Sequence, residues 1–229
     1  MEAINKAGTS VGILSAAEGI VLASEKKVLS KLLDLSVNGE EKTYRISDSI
    51  TVSVAGITSD ANILIDFLRG YAQDYAVQYG EPIPVETLVK KICDRKQSYT
   101  QYGGLRPFGA SFLYAGWDRY LGFQLYQSDP SGNYNAWKAT AIGANSRNAT
   151  STLKAEYKDD ITLDEALLLA LKILTKSMDT SKVSAEKVEI GYLAFSPVTK
   201  RPTWKSLNDE QVKKLIARLP APEDQDDDN

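Results

Sequence analysis

The spacing of apolar positions changes several times along the chain, and each change marks a predicted element. Thr9 to Leu14 and Ile20 to Ala23 are short apolar runs flanking Ala17-Glu18-Gly19, which predicts a strand hairpin. Thr43 to Ile46 is a third strand-like run. Ile50 to Gly56 alternates strictly, so Ile50, Val52 and Val54 share one face. From Asp60 the period lengthens, and Leu64, Phe67, Leu68, Tyr71 and Tyr75 recur at helical spacing, with Thr58 or Ser59 available as N-cap. Gly80-Glu81-Pro82-Ile83-Pro84 interrupts that helix. A second amphipathic helix carries Val85, Leu88, Val89, Ile92 and Tyr99 and can start on Pro84; the short break predicts an antiparallel pair.

Ala110 to Ala115, Tyr120 to Gln127 and Trp137 to Ile142 predict a three-stranded meander, turning at Gly116-Trp117-Asp118 and at Asp129-Pro130-Ser131-Gly132. A short helix around Leu153 and Tyr157 follows. Thr162-Leu163-Asp164-Glu165 then has the spacing of a capping box and opens an apolar helix through Leu167, Leu168, Leu171, Leu174 and Met178. Val188 to Phe195 and Thr203-Trp204 read as strands. Asn208 with Gln211 is a second capping box, Leu207 and Val212 fit a hydrophobic staple, and the final helix is expected to reach Leu219. Strands and helices come in groups, which predicts the α+β class: two antiparallel sheets between helical layers, as one domain over residues 1–219. Residues 220–229 are acidic with little to bury and are expected to form a solvated, disordered tail, with partner binding as its functional alternative.

Composition narrows the chemistry. The 229 residues are 43% hydrophobic and 25% charged with a net charge of −3 and no basic stripe, so neither nucleic acid nor an anionic membrane is an expected partner. Met1 to Ala7 has neither the charged nor the apolar part of a secretory signal, and no apolar run approaches the length of a membrane span. The absence of histidine removes Ser-His and Cys-His dyads, His-ligated metals and imidazole acid-base chemistry together. Cys93 is the single cysteine, placed among helix positions, so no internal disulfide forms and a reducing compartment fits. No Gly-rich phosphate loop is present. Neither a metal nor a cofactor is expected.

One segment stands out. Tyr99 to Gly109 packs two tyrosines, Gly103-Gly104, Arg106-Pro107 and Gly109 between a predicted helix and a predicted strand. The glycines permit positive φ, and Pro107 pushes Arg106 towards extended geometry, so a shaped turn with Tyr102 and Leu105 at its tip is expected. An apolar tip on an exposed loop points to a surface that meets something; a plain helix C-cap followed by a strand start is the other reading.

Five segments in order, Ala7 to Ile13, Gly19 to Lys27, Val54 to Ala61, Tyr99 to Gly109 and Trp137 to Gly143, resemble the alpha subunits of the 20S proteasome. Gln124 to Tyr134, Met178-Asp179 and Ser184 to Ile190 point further to one eukaryotic subtype among them. The resemblance implies a four-layer α-β-β-α sandwich of the N-terminal nucleophile hydrolase type. It implies a place in a seven-membered ring with other alpha subunits, stacked on the proteolytic beta-ring subunits and acting in ubiquitin-dependent and other proteasomal degradation in cytoplasm and nucleus. Tyr102, Gly103, Gly104 and Leu105 match the collar of the axial channel through which unfolded polypeptide passes. Gly8, Lys42 and Ile57 match the pocket that takes the C-terminal tails of an ATPase regulatory particle or other activators, where a lysine can pair with a terminal carboxylate. Family alpha subunits carry a longer N-terminal extension, and this sequence starts near the end of its helix; a chain of this length is expected to join a closed ring less readily than one with the extension.

Catalytic relatives use an N-terminal threonine with its own amine as base, so the lack of histidine decides nothing here. The nucleophile position matches Gly8, which has no hydroxyl, with Glu25 and Lys42 at the positions of the acidic residue and the lysine. Thr9, released by processing, is the alternative nucleophile, but using it slips the strand register by one residue and turns every side chain to the other face. A noncatalytic subunit is therefore expected. The third reading is a free α/β binding domain with a small-molecule pocket.

Overall fold

In the computed structural model, which describes residues 2–27, 32, 41–178 and 184–219, the elements follow in chain order. A short helix α1 (Glu2–Lys6) leads into β1 (Ser10–Ser15), β2 (Gly19–Glu25), β3 (Thr43–Arg45) and β4 (Ile50–Gly56). Helices α2 (Thr58–Tyr79) and α3 (Val85–Gln101) precede β5 (Ala110–Asp118), β6 (Gly122–Ser128), β7 (Tyr134–Ala136) and β8 (Ala139–Ile142). Then come α4 (Ser146–Glu156), α5 (Leu163–Ser177), β9 (Val188–Phe195), β10 (Pro202–Ser206) and α6 (Asp209–Ile216). The strands form two five-stranded antiparallel sheets, β10-β9-β2-β1-β8 and β3-β4-β5-β6-β7.

Alternation along the strands sorts the apolar side chains into three cores. Val11, Ile13, Val21, Ala23 and Ala141 pack against Leu153 of α4 and Ala170, Leu171 and Leu174 of α5. Ile20, Leu22 and Ile142 meet Ala55, Leu113, Ala115 and Leu125 between the two sheets. Ile50, Val52, Val54, Phe112 and Tyr114 pack against Leu64 and Leu68 of α2 and Leu88 and Ile92 of α3. The layers therefore run α-β-β-α. Both predicted capping boxes form: Thr162 with Glu165 opens α5, and Asn208 with Gln211 opens α6.

Four details differ from the sequence expectation. Neither Thr58 nor Ser59 caps α2; Ile57 stands at the N-cap with no side-chain bond, and both polar residues lie inside the helix. Gly116-Trp117-Asp118 is strand, because these residues pair with Gln124, Phe123 and Gly122; the turn falls beyond them, where the Asp118 carboxylate accepts the Tyr120 and Leu121 N–H groups. The third strand of the expected meander is two strands. Tyr134–Ala136 pairs with β6, whereas Ala139–Ile142 crosses to pair with β1 in the other sheet. The changeover lies at Trp137 and Lys138: the Trp137 N–H still donates to Leu125 O, while Lys138 O accepts from Leu14 N–H. The last helix stops at Ile216, short of Leu219. The acidic segment 220–229 lies outside the described residues.

Candidate functional site

Gly8 sits just before β1, opposite Glu25 at the end of β2. A Cβ on Gly8 would stand 2.5 Å from Lys42 Nζ, 2.6 Å from the Glu25 carbonyl oxygen and 3.2 Å from Glu25 Cβ. The missing side chain is what admits the lysine. Glu25 Oε2 accepts the Thr9 N–H at 3.2 Å, and the Glu25 N–H donates to Thr9 O at 2.8 Å, so the backbone around the glycine is fixed. Lys42, half-buried just before β3, is held through its main chain: its N–H donates to Glu189 Oε2 at 2.9 Å, and its carbonyl accepts the Val54 N–H at 3.0 Å. Burial pushes the Glu189 carboxyl above the usual carboxylate range, opposed by that Lys42 N–H. Ile57, one residue beyond β4, lies at the same end of the sandwich and is 36% exposed. The structure thus brings Gly8 and Lys42 into contact and sets Ile57 at the same end of the sheets. The Lys42 ammonium is thus buried against the main chain at Gly8 and Glu25.

No nucleophile lies beside Lys42 at position 8. Thr9 is fully buried, and its Oγ1 accepts the Asn145 N–H at 3.3 Å, on the α4 side of the sheet where Val11 and Ile13 also point. Thr9 and the site of Lys42 are on opposite faces of β1, as period-two alternation requires of neighbours.

The second candidate region follows α3. That helix ends at Gln101, with the Tyr102 N–H donating to Ser98 O at 3.4 Å. Gly104 alone of the glycine pair takes positive φ, 86°, in the left-handed region that a Cβ disfavours. Tyr102 is 67% exposed and Leu105 52% exposed, so the tip is apolar and projects. Its base is pinned. Arg106 forks onto Asp60 with Nη1 to Oδ2 at 2.6 Å and Nη2 to Oδ1 at 2.8 Å, and the Gly109 N–H donates to Oδ2 at 2.7 Å. The Arg106 guanidinium holds the Asp60 carboxyl below its ordinary range, against the opposing effect of burial. Tyr99 and Phe108 rings close the loop from inside at 4.5 Å. The segment is a helix C-cap followed by a strand start, with an exposed apolar tip between them.

Asp60 was not among the residues the sequence singled out. It reads there as the first acidic residue of a helix, and its partner is 46 residues away; the only signal is an arginine whose backbone is restrained by Pro107. Lys96 was missed too. It is fully buried on α3 and donates to Ala110 O at 3.2 Å and Ser128 Oγ at 2.9 Å. Cys93 is buried, which pushes its thiol up to about 11 and leaves it unreactive. A cleft of about 270 Å³ lies between α4, α5 and α6, but Lys172 there is engaged by Glu156 and Arg218 by Asp164. No metal-binding cluster and no helix long and apolar enough to cross a membrane occur among the described residues.

Two face-to-face antiparallel sheets between helical layers, with Gly8, Glu25 and Lys42 gathered where the first strand starts, define an α+β sandwich of the N-terminal nucleophile hydrolase type. The proteasome subunit family model matches residues 4–193, and the chain belongs to that family. It is 54% identical over 227 residues to proteasome subunit alpha type-4-2 of Oryza sativa subsp. indica, covering 97% of this chain and 90% of the relative. Over 193 residues it is 62% identical to proteasome subunit alpha type-4 of Dictyostelium discoideum, covering 84% of this chain and 77% of the relative. The alpha type-4 subunit of Spinacia oleracea is 58% identical over 197 residues, covering 86% and 78% of the two chains.

Proposed function

We propose that the chain is a noncatalytic structural and gating member of a proteasome alpha ring, of the type-4 kind. The observation that carries this is the Lys42 ammonium lying where a Gly8 side chain would be: the position that bears a nucleophile in catalytic relatives holds no reactive atom. In its place is a cationic notch. Gly8, Lys42 and Ile57 line a pocket for the C-terminal carboxylate of an ATPase regulatory particle or another activator, shared with a neighbouring alpha subunit. Tyr102, Gly103, Gly104 and Leu105 form this chain's part of the channel collar through which unfolded polypeptide reaches the beta-ring subunits. The subunit acts in cytoplasm and nucleus.

The test starts from a tagged chain isolated in its native particle. Native mass spectrometry is expected to find it with the remaining alpha chains and the beta chains. A peptide with the activator-tail sequence and a free C-terminal carboxylate should bind that particle at this subunit, and Lys42→Ala should weaken the local binding about tenfold, the loss of one charge-assisted hydrogen bond. A chain recovered alone, as a monomer in the presence of other alpha subunits, would overturn the ring role.

A further inference from the structure

The wall of the Lys42 notch and the base of the collar share an anchor. The Ile57 N–H donates to Gly109 O at 2.9 Å, and the Ile57 side chain lies on that glycine so closely that a Cβ there would be 2.6 Å from Ile57 Cδ1. One helical turn further along, Asp60 takes the Gly109 N–H and both Arg106 nitrogens. Gly109 is therefore held from both sides by the first turn of α2, through its carbonyl and its N–H. Asp60 itself is buried, only 4% exposed. Three oriented donors on one dry carboxylate leave little slack.

The collar's two legs are tied to each other at the base by Tyr99 against Phe108, and the second leg has a further anchor of its own. The leg before the tip belongs to α3, where Lys96 and Tyr99 fix it to Ala110 O and Phe108. The leg after the tip, residues 105–109, is tied through Arg106 and Gly109 to Asp60. Between them stand Gly103 and Gly104, where a Cβ would meet no atom within 4 Å. The tip is a glycine joint above the clamp of Tyr99 on Phe108, and a shift of Arg106 relative to the end of α3 turns it.

We propose that Asp60 is a positioning residue that couples the notch to the collar: displacement of Ile57 by an occupant of the notch is carried through Asp60 and Gly109 to Arg106, and turns the Tyr102 to Leu105 tip about its glycines. This rests on the assignment of Ile57 as pocket wall and of Tyr102 to Leu105 as collar. Coupling of this kind needs a differential contact at each end, which Ile57 and Arg106 supply.

Hydrogen exchange read by mass spectrometry on the assembled particle tests it, with the activator-tail peptide as probe and its C-terminal amide as control. The carboxylate peptide should slow exchange in residues 55–61 of this chain and alter it in residues 102–109, and the amide should do neither. In Asp60→Asn and Arg106→Lys particles the effect at 55–61 should persist, while the effect at 102–109 falls about fivefold. Arg106→Lys keeps the charge and loses the fork, so it serves where Asp60→Asn fails to assemble. A purely structural role would change exchange without peptide and leave the peptide's effect on the collar intact. An equal peptide effect at 102–109 in variants and native particle would overturn the coupling, as would an effect at 55–61 alone in the native particle. No effect at 55–61 in the native particle would remove the pocket assignment itself, and the coupling with it.

Discussion

At position 8 the side chain that is absent decides more than those present. Gly8→Ala places a Cβ 2.6 Å from the Glu25 carbonyl, a backbone atom, and 2.5 Å from Lys42 Nζ. The lysine tip can move; the carbonyl is main chain, in a residue whose N–H is bonded to Thr9 O. The substitution should cost about 1–3 kcal/mol in denaturant unfolding, the usual penalty of overpacking, and should displace the ammonium. Lys96 illustrates the opposite case, a charge that burial disfavours. Its pKa is brought down to about 8 from an ordinary 10.5, chiefly by desolvation. Between those values the unfolded chain holds one proton more than the folded chain, so stability rises with pH across that window. Cys93, pushed from 9.0 to about 11, acts the other way above pH 9.0, which leaves the step just above pH 8 as the clean interval. Relative to Lys96→Met, the native chain should gain about 1 kcal/mol between pH 7.5 and 9 in thermal unfolding; a pH-independent gap would mean the lysine stays protonated when folded, with its pKa not brought down. The sequence reveals these residues unevenly. Gly8 and Lys42 emerge through the family pattern around them, because a glycine and a lysine alone carry no signal. Asp60 and Lys96 do not emerge, since their partners, Arg106 and Ala110, are brought close only by the packing of α2 and α3 against β5.

Among the elements, those that depend on local chemistry were legible. Thr162 with Glu165 and Asn208 with Gln211 satisfy their own helix ends within four residues, so spacing alone finds them. What spacing cannot supply is the identity of a partner strand. Trp137 to Ile142 reads as one run, yet its first part continues the ladder on β6 and its end joins β1 in the other sheet. The same holds for Asp118, whose carboxylate ties the β5–β6 turn to the Val85 N–H at the start of α3 and is thereby kept below its ordinary pKa by hydrogen bonds that outweigh burial. In the turn from Tyr102 to Leu105, local geometry does make a separate forecast for each glycine. Gly104 is left-handed and Gly103 is not, and neither has neighbours for a Cβ to strike. Gly104→Ala should therefore cost about 1–2 kcal/mol from backbone conformation alone, while Gly103→Ala should stay within about 0.5 kcal/mol. Equal costs in urea unfolding would show that the two positions share the strain.

For the whole molecule the sharpest question is whether β1 could serve a catalytic subunit after cleavage between Gly8 and Thr9. The released Thr9 would carry its hydroxyl on the α4 side, bonded by the Asn145 N–H, with the sheet between it and Lys42. Bringing it to Lys42 requires β1 to slip by one residue. Val11 and Ile13, both fully buried against the helical layer, would then turn into the space between the sheets, and Ser10 and Gly12 would take their places. Removing two such aliphatic side chains from their core loses about 3–6 kcal/mol. That space is already filled: a Cβ on Gly12 would come within 2.9 Å of Leu125 Cδ1. The slip is thus opposed on both faces of the strand, by lost burial on one and by collision on the other. Intact mass of the chain recovered from its native particle should show no cleavage after Gly8, and Thr9→Ala particles should retain all peptidase activities. A chain beginning at Thr9, with one activity lost in the Thr9→Ala particle, would mean that β1 adopts the slipped register despite this cost.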